Sequence, residues 1–67
     1  MTKEMEFFTF LMEQYARFKN TTADKILRQL DELKLTDYVF NMYEMYHTEA
    51  LENAYTDIDK LIENKSR

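Results

Sequence analysis

The sequence predicts an all-α protein, a compact bundle of four short helices, and three observations carry that expectation. The chain has no glycine and no proline, whereas strand-rich folds need tight turns at positive φ that glycine normally supplies. Its apolar residues recur at three- and four-residue spacing, the period of a helix with one buried face. Threonines stand where that period is interrupted, and a hydroxyl there can accept from the free amides of a new helix.

The first helix is predicted over about 3–19. Projected at about 100° per residue, Met5, Phe8, Leu11, Met12, Tyr15, Ala16 and Phe18 share one broad face, with Phe7 at its margin. Glu6, Glu13, Gln14 and Arg17 lie opposite, and Phe10 lies among them, well outside the apolar stripe. Asn20-Thr21-Thr22 interrupts the pattern. A threonine there is expected to cap the second helix, over about 22–34, with Asp24 completing a capping-box-like pair with Thr21. Ala23, Ile26, Leu27, Leu30 and Leu33 form its apolar arc, which is that of an ordinary surface helix.

Thr36 is the expected cap of the third helix, over about 37–46. Val39, Met42, Tyr43 and Tyr46 centre its apolar surface, and Tyr38, Phe40 and Met45 widen it almost to the full circumference. Such a helix is central or touches another molecule. The fourth helix, over about 49–63, shows a clean stripe of Leu51, Ala54, Tyr55, Ile58, Leu61 and Ile62. On a continuous helix that stripe would be rotated by about 110° from the third. A break near His47-Thr48 removes the conflict, with Thr48 as the next cap and residues 64–67 fraying.

Length and charge narrow the function classes. Sixty-seven residues make one small domain, 1–67. A core of this size contributes only about 3–5 kcal/mol, so a partner or self-association would help it. Nine Lys and Arg against thirteen Asp and Glu give a net charge of −4, the opposite of what nucleic-acid binders usually present. The absence of cysteine excludes disulfides and thiolate metal sites, and a single histidine leaves a zinc site short of ligands. Glycine-built phosphate loops are impossible, and no cofactor is expected. Charges interrupt every apolar stretch well before the ~18 residues of a membrane span, so the expected location is the cytoplasm.

Chemistry could hide in few places. Asp57 and Asp59 look like paired carboxylates, yet residues two apart on a helix point about 200° apart. They flank opposite edges of the Ile58 stripe, as bordering charges or separate hydrogen-bond acceptors. His47 stands at the end of the third helix, where an imidazole can bond the last carbonyls. No serine or cysteine nucleophile accompanies it outside the tail residue Ser66, so no catalytic residue is expected. Five tyrosines and five phenylalanines exceed what four short helices easily hide. A partly exposed patch is expected from among Phe7, Phe10, Tyr38, Phe40 and Tyr46. The recognition helix of a helix-turn-helix reading counts against it, because its polar set of Asp37, Asn41 and Glu44 would meet phosphate with negative charge.

Tyr43-Glu44-Met45-Tyr46-His47-Thr48, then Asp57-Ile58-Asp59 and Leu61-Ile62, resembles a family of short bacterial proteins known only as a domain of unknown function. Phe8, Phe10, Glu13, Tyr15 and Asn20-x-Thr22 resemble its opening, so the likeness spans nearly the whole chain. Ala23 and Glu49-Ala50 stand where its members commonly carry glycine. The resemblance implies a small helical protein without established enzymatic activity. It also implies an antitoxin or accessory subunit, since members are often encoded beside proteins resembling ADP-ribosyltransferase toxins. The expectation is a noncatalytic module that binds a protein through an aromatic patch with an acidic rim. Phe7, Phe10, Tyr38, Phe40, Tyr46, His47, Asp57 and Asp59 are its candidate contact residues. The alternatives are a homodimer burying the same patch and a small DNA-binding regulator.

Overall fold

Thr2 starts the first helix, its hydroxyl accepting from the Met5 amide at 3.1 Å. In the computed structural model, which describes Met1–Arg67, the chain forms α1 (Lys3–Phe18), α2 (Ala23–Glu32), α3 (Thr36–Phe40), α4 (Tyr43–Tyr46) and α5 (Leu51–Lys65). There is no strand, and the elements form the expected small helical bundle. Phe8, Leu11, Met12, Tyr15 and Ala16 of the predicted α1 face are buried. Met5 and Phe18, near its two ends, are 41% and 59% exposed, Phe18 lying on the Tyr55 ring at 4.8 Å.

Two residues without glycine's freedom make the first two helix ends. Asn20 and Lys34 have φ of 59° and 60°, in the left-handed region. After α1, the Thr21 amide reaches back to the Ala16 carbonyl at 2.8 Å and the Asn20 amide to Arg17 at 3.1 Å. After α2, Leu35 reaches Leu30 at 2.8 Å and Lys34 reaches Asp31 at 3.1 Å. Both are Schellman closures, which satisfy carbonyls that a helix end leaves open. The second brings Leu30 and Leu35 into the core together, the apolar contact that accompanies the motif. Asparagine tolerates this backbone, whereas lysine is strained by its Cβ. Lys34→Gly is therefore expected to raise stability by about 0.5–1 kcal/mol, after allowance for glycine's looser unfolded chain. A thermal melt reads this as a higher Tm; an unchanged or lower Tm contradicts it.

Capping departs from the sequence expectation at three places. Thr22 caps α2 through the Lys25 amide at 3.4 Å, but Thr21 is spent on the Schellman closure instead of pairing with Asp24. Thr36 is the first residue of α3 and donates to the Asp31 carboxylate, while Leu35 occupies the cap position without a side-chain bond. Thr48 does not start α5. Its hydroxyl donates to the carbonyls of Glu44 and Met45 at 3.2 and 3.0 Å, closing the end of α4, and Ala50 precedes α5. A threonine hydroxyl can serve either end of a turn, and sequence position alone does not choose.

The third predicted helix divides at Asn41–Met42. The Met42 amide bonds the Val39 carbonyl at 3.1 Å, a three-residue closure that tightens the turn. This relieves the nearly all-round apolar circumference by giving its residues different neighbours. Phe40 meets Phe8 edge-on at 5.6 Å, and Tyr43 meets Phe7 at 5.7 Å. The expected break at His47-Thr48 is present. α5 outlasts its predicted end, because the Ser66 amide and hydroxyl both bond the Ile62 carbonyl, at 3.0 and 2.7 Å.

The core gathers thirteen residues, all apolar or tyrosine, with Leu11, Met12, Tyr15, Leu30, Val39 and Ile58 essentially sealed. No buried side-chain nitrogen or oxygen lacks a partner.

Candidate functional site

Asp57 and Asp59 come from α5 and diverge around Ile58, which is 0% exposed. Each meets a different tyrosine. The Tyr46 hydroxyl donates to Asp57 at 2.6 Å. The Tyr15 hydroxyl donates to Asp59, which also pairs with the Lys19 ammonium at 3.1 Å. Tyr15 and Tyr46 are buried rings whose polar tips must find an acceptor, and half-buried carboxylates on α5 supply it. Burial foremost, and then the carboxylate bond, push both hydroxyls well above the usual tyrosine pKa. The two aspartates therefore tie α5 to α4 and to α1. Tyr46→Phe is expected to lower stability by about 1.5–3 kcal/mol, the net worth of a hydrogen bond to a charged group. Urea unfolding reads this; a loss under a few tenths of a kcal/mol would mean that water replaces the tyrosine without cost.

His47 ends α4 in the position read from the sequence. Its Nδ1 lies 2.5 Å from the Tyr43 carbonyl. Its ring stacks on the Tyr43 ring at 4.0 Å with 4° between planes, and Phe7 meets it edge-on at 6.3 Å. Phe7, Tyr43 and His47 thus form one aromatic cluster between α1 and α4. Tyr43 was absent from the expected contact residues, although its four-residue spacing from His47 places the two side by side on a helix.

The other expected patch residues part company. Phe10 is 47% and Tyr38 50% exposed, while Phe7 and Phe40 are half-buried. Tyr46 corrects the expectation: it is 3% exposed and belongs to the core. Its position at the centre of the apolar surface of the third segment carried that signal. Met45, read as widening the third helix's apolar surface but not among the expected patch residues, is 53% exposed. Charge is uneven as well. From Leu35 to Asp59 the chain has six carboxylates and no lysine or arginine. Four of these, Asp37, Glu44, Glu49 and Glu52, are exposed around α3, α4 and the start of α5. No cluster of three or more His, Asp or Glu side chains could hold a metal ion, and no helix is long and apolar enough to cross a membrane.

Residues 6–65 match a family described as protein of unknown function (DUF3791). No curated protein and no solved structure matches the chain.

Proposed function

The chain belongs to the DUF3791 family of proteins of unknown function, and on that premise we propose that it is a noncatalytic module that binds another protein. The observation that carries the reading is Phe10. It stands 47% exposed in the middle of α1, while its neighbours Leu11 and Met12 are 1% and 2% exposed. A phenylalanine costs solubility at such a place and adds nothing to the core, but aromatic side chains dominate the energetics of protein interfaces. Phe7, Tyr43 and His47 extend the surface beside it toward α4. Tyr38 and Met45 add apolar area among Asp37, Glu44 and Glu49, which supply an acidic rim. The carboxylates that suggested chemistry hold tyrosines instead.

The partner on this proposal is a protein encoded next to the chain, in the manner of an antitoxin or accessory subunit, and the complex forms in the cytoplasm without nucleic acid. Co-expression with the product of the adjacent gene tests it. Co-purification at fixed stoichiometry supports the reading. A chain that stays alone, with the adjacent product folded and active, contradicts it. A homodimer would bury the same surface, and light scattering across a dilution series separates that case by a mass that stays at two chains.

A further inference from the structure

α1 and α2 pack side by side after the turn at Asn20, and on one flank they leave an open cleft of about 330 Å³. Met5, Ala23 and Leu27 form its apolar walls over a floor of the buried Phe8 and Met12, with Glu13 on one bank and Asp24 on the other. Its volume stands at the low end for ligand pockets, suited to anchoring side chains more than to a cofactor. The Met5 side chain, 41% exposed, can bend to fit such an anchor.

The charge around the cleft says what kind of anchor fits. Glu13 and Asp24 are exposed, and neither takes part in the ion pairs of the chain, which are Lys19–Asp59 and Arg67–Glu63. No lysine or arginine lines the cleft. Its complement is an apolar row with cations along both sides. A basic amphipathic helix presents that pattern, with anchors three and four residues apart laid into a groove. A second copy of this chain does not supply it, because the apolar stripes of α1, α2 and α5 are already buried in their own core.

We propose that the α1–α2 cleft docks a basic amphipathic helix of a partner protein, its apolar anchors between Met5, Ala23 and Leu27 and its lysines or arginines at Glu13 and Asp24. The proposal rests on the protein-binding reading but uses a different surface: Phe10 does not line the cleft and points about 140° away from Met5 on α1, and only Glu13, three residues on from Phe10, borders both. Loss of either surface is therefore separately visible.

The test uses the full chain and a synthetic leucine–lysine peptide with leucines at helical spacing, beside a leucine–glutamate peptide of the same pattern. Binding is followed by fluorescence anisotropy and by amide chemical shifts. The lysine peptide should shift Met5, Thr9, Met12, Ala23 and Leu27, and the glutamate peptide should not bind. Thr9→Trp, introduced at an exposed position on the cleft edge, should weaken binding by about tenfold or more by filling the cleft. Glu13→Gln with Asp24→Asn should weaken it by about tenfold. Glu44→Gln with Glu49→Gln, an equal charge change elsewhere, and Phe10→Ser should each leave it within about twofold. Shifts centred elsewhere, equal weakening by both charge pairs, or indifference to Thr9→Trp would overturn the proposal. So would a dimer that protects the cleft residues. Circular dichroism of each variant confirms that it is folded.

Discussion

Raising the pH through 11 is expected to unfold this protein. Tyr15 and Tyr46 are 1% and 3% exposed, and both hydroxyls are held protonated by burial and by the aspartates they face. Below pH ~10 these tyrosines are protonated in the folded and unfolded chain alike, so their contribution to stability is fully present. Above it the unfolded tyrosines ionise while the folded ones keep their protons. Each tyrosine then favours the unfolded chain by about 1.4 kcal/mol per pH unit. Tyr15 and Tyr46 together cost about 3 kcal/mol at pH ~11, comparable with the whole stability of a small core. The tyrosinate absorbance contributed by Tyr15 and Tyr46 should therefore rise together with the loss of helical ellipticity, in one cooperative step. Ionisation of these tyrosines with the helices intact would contradict the burial and bonding described for them. Tyr55, raised foremost by burial, adds to the same trend.

Ile58→Ala should leave little folded protein at room temperature. Ile58 is 0% exposed and sits on α5 between the two aspartates that hold the helix down. Truncating a sealed isoleucine costs about 2–5 kcal/mol, part transfer and part cavity. That is most of what a core of this size contributes, about 3–5 kcal/mol. The cost should be largest here because the tyrosine bonds on either side prevent α5 from settling into the space. Urea titration should show a folded baseline that is short or absent. A variant with a full baseline, losing less than about 1 kcal/mol, would mean that the neighbouring helices close the gap.

What could be read from the sequence was whatever periodicity encodes. Every buried residue of α1, α2 and α5 falls on its predicted face, from Leu11 through Leu30 to Ile58, although Met5 and Phe18 of the α1 face stay exposed. The break near His47 followed from two stripes that could not share a helix. The divergence of Asp57 and Asp59 needed only the helical period. Their tyrosine partners did not appear, because Tyr15–Asp59 spans forty-four residues and depends on how α1 and α5 pack. Capping was less legible than periodicity. Thr36 and Thr48 have the right chemistry for a helix start, yet both spend their hydroxyls on the preceding helix. The division of the third segment turns on one amide, Met42, bonding three residues back; nothing local in the side chains announces it. Tyr46 was misplaced for a related reason: its ring is core, and only its hydroxyl faces outward to Asp57.

Phe10, 47% exposed on α1, is the residue on which the proposed partner surface rests. Its ring supports no other aromatic ring in the molecule, whereas Phe7, Phe8 and Phe18 each pack against one. The decisive measurement is calorimetric titration of the chain and its Phe10→Ser variant with the adjacent gene product, each paired with a thermal melt. The expected result is affinity weaker by about tenfold or more, as for a lost interface anchor, with Tm unchanged or slightly raised. Equal affinity for both chains, or a loss of affinity that merely follows a lowered Tm, would contradict it.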